Sequence, residues 1–150
     1  PIPDEMSFEE AAAIGIPFLT AWTMLFRKTM LKPGETILIH AAGSAVSIAA
    51  IQMAKMIGAT VITTAGSEEK EMRAIAMGAD HVIPYKIRPF REDLKKILKD
   101  IGKRGCEVVI DHVGSDTFSD SIKSLAWGGR LACCGATSGS DVKLDLKILF

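Results

Sequence analysis

Residues 36–47 read TILIHAAGSAVS, a short apolar run followed by a stretch of small residues. The β-branched and aliphatic residues at its start are typical of a strand that is buried on both faces. Beyond the small residues, apolar positions recur with helical periodicity from Val46 to Ile57, and Gly58 suits the C-cap of such a helix. The stretch therefore predicts a strand that turns directly into a helix.

The same alternation continues along the chain. Further apolar strands are predicted at 60–65, 82–83, 106–110 and 130–134. Upstream of the first strand, Ser7 suits the N-cap of a helix that we expect Pro17 to interrupt, with a second helix over 18–30. Continuously apolar strands separated by helices indicate an α/β fold, a doubly wound parallel sheet in three αβα layers.

The composition excludes several classes of protein. The 150 residues contain 18 Lys and Arg against 18 Asp and Glu, so the chain lacks the basic surplus of nucleic-acid-binding and membrane-surface proteins. The chain is 48% hydrophobic, enough for a core, yet no apolar run approaches the length of a membrane span. We expect one domain over residues 1–150, cut from a longer chain and located in the cytoplasm, where free cysteines persist.

The turn after the first strand is the predicted ligand site. In doubly wound sheets, ligands bind at the carboxyl ends of the strands, and the N-terminus of the following helix attracts an anion such as a pyrophosphate. When the turn is aligned with the GxGxxG fingerprint, the three glycine positions hold Ala42, Ser44 and Ser47. These residues are small, but they are not glycine, so a tight turn without a ligand is the alternative interpretation.

The end of the second strand bears on the choice of ligand. An NAD-binding domain usually has Asp or Glu there to bind the ribose hydroxyls, whereas this chain has Thr64 and Ala65. Ser67 can donate a hydrogen bond and Lys70 adds a positive charge, which together suit a 2′-phosphate. The alternative is a solvated Lys70 that pairs with a neighbouring glutamate.

Nine short motifs, in their order and spacing, resemble the cofactor domain of the medium-chain dehydrogenase/reductase superfamily. The likeness is greatest to its quinone-oxidoreductase-like and zinc-type alcohol dehydrogenase branches, and it extends over essentially all 150 residues. The motifs are Ser7–Ala13, Leu19–Trp22, Lys32–Glu35, Ala49–Lys55, Ala65–Lys70, Gly78–Tyr85, Asp111–Gly114, Gly128–Leu131 and Cys134–Thr137. The resemblance implies a Rossmann-type domain.

The resemblance also implies a function. It implies an NAD(P)-dependent oxidoreductase, with NADP(H) preferred over NAD(H), that transfers a hydride between the nicotinamide and a carbonyl, alcohol, quinone or enone. Its partners would be the dinucleotide and a small-molecule substrate, with no nucleic acid or membrane. The implied cofactor-binding residues are Thr20, Ala42, Gly43, Ser44, Ala45, Val46, Ser47, Gly66, Ser67, Lys70, Tyr85, Val113, Gly135, Ala136 and Thr137.

By the same resemblance, other parts of the enzyme lie outside these residues. A β-rich, GroES-like domain would supply the substrate groups and any zinc ligands, and a last strand, expected after Phe150, would serve pairing into a homo-oligomer. We therefore expect no catalytic residue or metal ligand here, and an isolated piece that binds cofactor without turnover. His40, His81 and His112 are interpreted as satisfied loop or core residues. We expect Cys133, Cys134 and six methionines (Met24, Met30, Met53, Met56, Met72 and Met77) to be buried.

Two other functions fit parts of the pattern. A non-catalytic domain that has lost its nucleotide would explain Ser44 and Ser47 in place of glycines. An S-adenosylmethionine-dependent methyltransferase also has a small-residue turn after its first strand. That class needs an acidic residue at the end of the second strand, which Thr64 and Ala65 do not supply.

Overall fold

Five parallel strands form a single sheet in the computed structural model, which describes residues 2–87 and 89–149. The strand expected after Phe150 falls outside the described residues. The sheet order is β3-β2-β1-β4-β5, so the chain reverses direction across the sheet between β1 and β4. The strands are β1 (Thr36–Ile39), β2 (Thr60–Ala65), β3 (His81–Pro84), β4 (Cys106–Asp111) and β5 (Leu125–Cys133).

Alternate residues of β1 contact helices on opposite faces of the sheet. Ile37 and Ile39 belong to the apolar cluster that includes residues of helices α1 (Phe8–Trp22) and α2 (Ala45–Met56). Leu38 packs with Leu94 and Leu98 of α4 (Phe90–Asp100) on the other face. All four residues of β1 are buried, which confirms the three-layer, doubly wound arrangement. The helices on the strand connections are α2 (Ala45–Met56), α3 (Glu68–Ala76), α4 (Phe90–Asp100) and α5 (Phe118–Lys123).

The first helix differs from the expectation at Pro17. Helix α1 runs unbroken from Phe8 to Trp22 and continues into a π-helix over Thr23–Lys28. Ser7 caps it as expected, with a capping box to Glu10. Proline deprives the Ala13 carbonyl of its partner, but Ala13 is exposed, so water can solvate that carbonyl and the helix persists.

Several residues expected in the core are on the surface. Cys133 and Cys134 are exposed because β5 is the edge strand of the described sheet, with β4 on one side only. Of the methionines, Met24 is buried and Met53 and Met77 are partly buried, whereas Met30, Met56 and Met72 are exposed. A short 3-10 helix, Leu146–Leu149, ends the described chain. Among the described residues, no helix combines the length and apolarity needed to cross a membrane.

Candidate functional site

A cavity of about 390 Å³ opens where the chain reverses direction, at the carboxyl ends of β1, β2 and β4. The turn after β1 forms one wall, and residues that follow β2, β3, β4 and β5 form the others. This is the position at which open α/β sheets bind ligands. The lining residues are Ala41, Ala42, Gly43, Ser44, Ala65, Gly66, Lys70, Tyr85, His112 and Thr137.

The turn itself is held by hydrogen bonds that leave its helix end open to the cavity. The Ala42 N–H donates to the Thr64 carbonyl at 2.9 Å, and the Ser44 N–H donates to the Ala41 carbonyl at 2.9 Å. Ala41 has a φ of 55°, the left-handed conformation needed for so sharp a reversal. Ser44 is the N-cap of α2, and its side chain accepts from the Ser47 N–H at 3.3 Å. The remaining N–H groups of the first helical turn have no carbonyl acceptor within the helix, which suits an anion.

Lys70 and Tyr85 lie against the glycines of the cavity. A Cβ atom at Gly43 would be 2.8 Å from Cδ of Lys70, so the lysine stem rests directly on the turn. A Cβ atom at Gly66 would be 2.7 Å from the Tyr85 hydroxyl oxygen. Lys70 is exposed to solvent at the cavity wall, and in residues 2–87 and 89–149 no ion pair joins it to Glu68 or Glu69.

Ser67 begins the helix that carries Lys70. It is the N-cap of α3, and its side chain accepts from the Lys70 N–H at 3.4 Å. The hydroxyl proton is therefore still available to an acceptor beyond the helix end. Ser67 therefore determines where α3 begins and, with it, the position of Lys70 in the first turn of the helix.

At the carboxyl end of β1, the buried His40 side chain joins β1 to β2 and α5, an arrangement that the sequence did not reveal. Nε2 of His40 is 2.9 Å from Oγ of Ser121, and Nδ1 is 3.3 Å from Oγ1 of Thr64. Ser121 donates its proton to Asp111, so it accepts from Nε2 of His40, and the Thr64 hydroxyl donates to Nδ1. Burial lowers the pKa of His40 to about 4, and the imidazole is neutral.

Asp111 anchors this network at the end of β4. Its carboxylate accepts from the N–H groups of Val113 and Gly114, at 2.9 and 3.1 Å, and from the hydroxyls of Thr117 and Ser121, at 2.8 and 2.7 Å. Burial by itself would raise its pKa. The hydrogen bond from Ser121 and the other donors outweigh that effect, so the pKa of Asp111 is lowered and the group is ionised.

Ser47 occupies the third glycine position of the GxGxxG fingerprint, and its side chain is hydrogen-bonded within the fold. The side chain is fully buried, and its Oγ lies 2.7 Å from the His40 carbonyl oxygen and 2.8 Å from Nε2 of His112. The residue thus links the first turn of α2 to the residue that follows β4. His112 lines the cavity and was not among the predicted site residues.

The family of this chain follows from a comparison with protein families. The zinc-binding dehydrogenase family matches residues 45–150, which span α2 to the end of the chain. The chain belongs to that family. The family lies within the medium-chain dehydrogenase/reductase superfamily, whose cofactor-binding domain the sequence motifs predicted.

Individual relatives of this zinc-binding dehydrogenase family member agree. The chain is 35% identical over 149 residues to quinone oxidoreductase-like protein 2 of Rattus norvegicus, covering 99% of this chain and 42% of that protein. A solved NAD-dependent alcohol dehydrogenase aligns with a TM-score of 0.90 and 46% identity, over 99% of this chain and 43% of that one. The quinone oxidoreductase of Thermus thermophilus, solved with and without NADPH, aligns with a TM-score of 0.81 and 32% identity, over 99% and 46% of the two chains. This chain therefore spans less than half the length of the relatives it matches.

The remaining predicted site residues lie partly in the central cavity and partly outside it. Val113 lines a neighbouring cavity of about 290 Å³ that also contains His40 and Thr64. Thr20 lies in a separate groove of about 530 Å³, between the first helices and the exposed end of β5. Gly135 packs close to His112, Ala136 packs close to Gly114, and Thr137 reaches the central cavity. Ala45 and Val46 are in the first turn of α2.

The family name raises the question of a zinc site. In residues 2–87 and 89–149, no group of three or more His, Cys, Asp or Glu side chains is placed to hold a metal ion. His40 is buried in its own hydrogen-bond network, and His112 is bonded to Ser47. These donors do not fit a tetrahedral zinc centre, which needs three or four convergent ligands.

Proposed function

We propose that residues 1–150 form the nicotinamide-dinucleotide-binding domain of an oxidoreductase that prefers NADP(H) to NAD(H). The observation that carries the proposal is the convergence of Lys70, Tyr85 and the turn at Gly43 on one cavity. None of the described residues that line this cavity is Asp or Glu. The full-length enzyme would transfer a hydride between the cofactor and a carbonyl, alcohol, quinone or enone.

The cavity suits the diphosphate of a dinucleotide. The open N–H groups at the start of α2 and the ammonium of Lys70 provide hydrogen-bond donors and positive charge. Because Gly43 has no side chain, the aliphatic part of Lys70 lies directly against the turn. A phosphate that displaced this side chain could approach the backbone of the turn equally closely. The hydroxyl group of Ser44 accepts a hydrogen bond from the Ser47 N–H and caps α2.

The end of β2 supports the preference for a 2′-phosphate. The strand ends at buried Ala65, and no carboxylate follows it at the cavity wall of the described chain. A phosphate dianion would therefore meet no negative charge there that repels it. Ser67, Lys70 and Tyr85 offer two hydroxyl groups and a cation around that position. In an NAD-specific site an acidic residue would instead bind the ribose hydroxyls.

The adjoining cavities extend the proposal along the edge of the sheet. The cavity at Val113 suits the adenosine side, and the groove at Thr20 suits the nicotinamide side. When bound, the nicotinamide supplies or accepts the hydride, and these residues hold and orient the cofactor. Relatives named quinone oxidoreductase, one of them solved with NADPH, support a nicotinamide dinucleotide as the ligand.

The substrate, any catalytic zinc and any pairing into a homo-oligomer would belong to the full-length protein. We expect the substrate to be a small molecule. The free cysteines Cys106, Cys133 and Cys134 suit a reducing compartment, for which we propose the cytoplasm. No specific observation favours a domain that has lost its nucleotide or a methyltransferase.

A calorimetric titration of the protein with NADPH and then NADH tests this function. We expect tighter binding of NADPH, and a loss of about tenfold or more in its affinity in Lys70→Ala, with a smaller effect on NADH. Lys95→Ala, which removes an exposed lysine from α4, is the matched control. Ser67→Asp keeps a good N-cap but places a carboxylate beside the 2′-phosphate, so it should shift the preference towards NADH.

Two results would count against the proposal. Equal affinity of Lys70→Ala and the unchanged protein for NADPH would remove the phosphate assignment. Binding of neither nucleotide would favour the non-catalytic alternative.

A further inference from the structure

Ala41 is the residue at which the turn after β1 reverses, and its backbone adopts a conformation that a residue with a Cβ atom rarely takes. Its φ of 55° lies in the left-handed region, where the Cβ atom crowds the following carbonyl oxygen. Such a conformation persists only when the surrounding structure holds it. The contacts of Ala41 therefore decide the shape of the turn.

The hydroxyl group of Thr64 holds the amide of Ala41. The Ala41 N–H donates to Oγ1 of Thr64 at 3.0 Å, and the Thr64 carbonyl accepts from the Ala42 N–H at 2.9 Å. Thr64 itself is buried in β2. The end of β2 thus fixes two successive amides of the turn, one through a side chain and one through the backbone.

A chain of hydrogen bonds that ends at Asp111 sets the direction of the Thr64 hydroxyl. The ionised carboxylate can only accept, so Ser121 donates to it at 2.7 Å and accepts from Nε2 of His40 at 2.9 Å. Because the imidazole is neutral, Nδ1 of His40 is left to accept the proton of Thr64, at 3.3 Å. The lone pairs of Oγ1 then face the N–H of Ala41. Every donor in this chain points from Ala41 towards Asp111.

We propose that Thr64 is a positioning residue for the diphosphate of the dinucleotide. Its hydroxyl, oriented by His40, keeps Ala41 in the conformation that leaves the first N–H groups of α2 open to the central cavity. The inference rests on the proposed function and deepens it. If the turn spent part of its time in another conformation, the apparent affinity for a diphosphate would fall with the fraction of molecules that remain competent.

Calorimetric titration of Thr64→Val with NADPH tests this role. Valine keeps the shape of threonine but leaves the Ala41 N–H without its acceptor, so we expect the affinity for NADPH to fall by about fivefold or more. Thr64→Ser, which retains the hydroxyl group, should keep most of the affinity.

A matched variant and a second ligand separate positioning from general damage. Thr63→Val removes the hydroxyl of the neighbouring buried threonine, which donates to the Ile39 carbonyl rather than to an acceptor in the turn, and it should retain the affinity for NADPH. The probe 2′-AMP carries the adenosine and the 2′-phosphate but no diphosphate. Its affinity should be the same in Thr64→Val as in the unchanged protein, although Thr64 also lines the cavity at Val113.

A glycine at the turn provides a rescue that a merely structural role of Thr64 does not predict. Glycine adopts the left-handed conformation without steric cost, so Ala41→Gly should restore most of the NADPH affinity that Thr64→Val loses. A general loss of stability would not be repaired in this way, because glycine makes the unfolded chain more flexible. Thermal unfolding of each variant shows whether it is folded at the temperature of the titration.

The outcomes are distinct. Unchanged NADPH affinity in Thr64→Val would overturn the inference, as would equal losses for NADPH and 2′-AMP or a failure of Ala41→Gly to restore binding. In each of these cases, NADPH binding that still depends on Lys70 would leave the proposed function intact. Failure of the unchanged protein to bind NADPH would overturn both.

Discussion

The lysines at the two ends of the sheet differ in their partners. At the amino end, acidic and basic side chains pair: Lys55 with Asp80 at 2.8 Å, and Lys103 with Glu107 at 2.7 Å. At the carboxyl end, Lys70 lies on the turn without a carboxylate partner among the described ion pairs. The two amino-end lysines are neutralised within the fold, whereas Lys70 remains available to an anionic ligand. Charges also pair at the carboxyl end, where Arg91 lies 3.7 Å from Asp120.

The amino-end acids also bind the backbone of the strands. Glu107 accepts from the Thr36 N–H at 2.7 Å, and Asp80 accepts from the Val61 N–H at 2.7 Å. Each acid therefore satisfies a strand donor and a lysine together. At the carboxyl end, Asp111 has a comparable set of donors, and these come from the loop and helix that follow it.

Removing the carboxylate of Asp111 should have the largest effect on stability. Asp111→Ala leaves the hydroxyls of Thr117 and Ser121 and two loop N–H groups without their acceptor in a buried site. We expect a loss of about 3 to 5 kcal/mol in the free energy of unfolding, measured by urea denaturation. Asp116→Ala, at an exposed carboxylate nearby, should change it by less than about 0.5 kcal/mol. Similar losses in the two variants would contradict the central role of Asp111.

Acid should lower the stability of the protein because His40 is buried at the carboxyl end of the sheet. His40 has its pKa lowered to about 4 in the folded protein, against about 6.5 in the unfolded chain, so the unfolded state binds more protons between these values. Stability should therefore fall by about 3 kcal/mol as the pH drops from about 6.5 to about 4. The lowered pKa of Asp111 acts at still lower pH, where its contribution is lost on protonation.

Urea denaturation across this pH range would measure the effect of His40. His40→Gln should flatten the slope between the two pH values, whereas His81→Gln should retain it. An equal slope in all three proteins would assign the acid sensitivity to other groups.

Breaking a charge pair at the amino end should have a moderate effect. Arg130 binds Glu35 through two parallel hydrogen bonds, at 2.9 and 2.7 Å, and the pair is partly buried. The hydrogen bond from Arg130 is the main reason that the pKa of Glu35 is lowered. We expect Glu35→Gln to reduce the free energy of unfolding by about 1 to 2 kcal/mol, with Glu69→Gln on exposed α3 as the control. Nucleotide binding should be unaffected, and a change in it would contradict the separation of the two ends.

The smallest effect is expected at Thr36. Its side chain is buried, and its hydroxyl has no hydrogen-bond partner among the described residues. Thr36→Val should leave the free energy of unfolding unchanged or raise it by about 1 kcal/mol. Thr63→Val, which removes a hydroxyl that donates to the Ile39 carbonyl at 2.6 Å, should lower it by about 1 kcal/mol in the same measurement. If both variants lose stability equally, the Thr36 hydroxyl has a partner after all.

Local patterns predicted most of the fold. Each buried strand lies within an apolar run, because both faces of a central parallel strand contact helices. The predictions of burial were wrong where burial depends on a neighbouring strand rather than on the local sequence. Cys133 follows the same apolar pattern as Ile110, but β5 has a partner on one side only in the described sheet, and its end is exposed.

The candidate site was predicted in part. The turn and Lys70 could be located from their positions after the first two strands, and Tyr85 from the family resemblance. The structure brings all three to one cavity. The link between His40 and Ser121 joins positions 81 residues apart, and no local pattern reports such a contact. The only signals in the sequence were polar residues, His40 and Asp111, that directly end otherwise apolar strands.

Tyr85 has a practical consequence for observing the site. It is the single tyrosine of the sequence, and its hydroxyl faces Gly66 at the wall of the cavity. Fluorotyrosine incorporated throughout the protein would therefore give one fluorine resonance, from this position. Its chemical shift would register occupancy of the cavity directly, without any change to the nucleotide and without a reaction to follow.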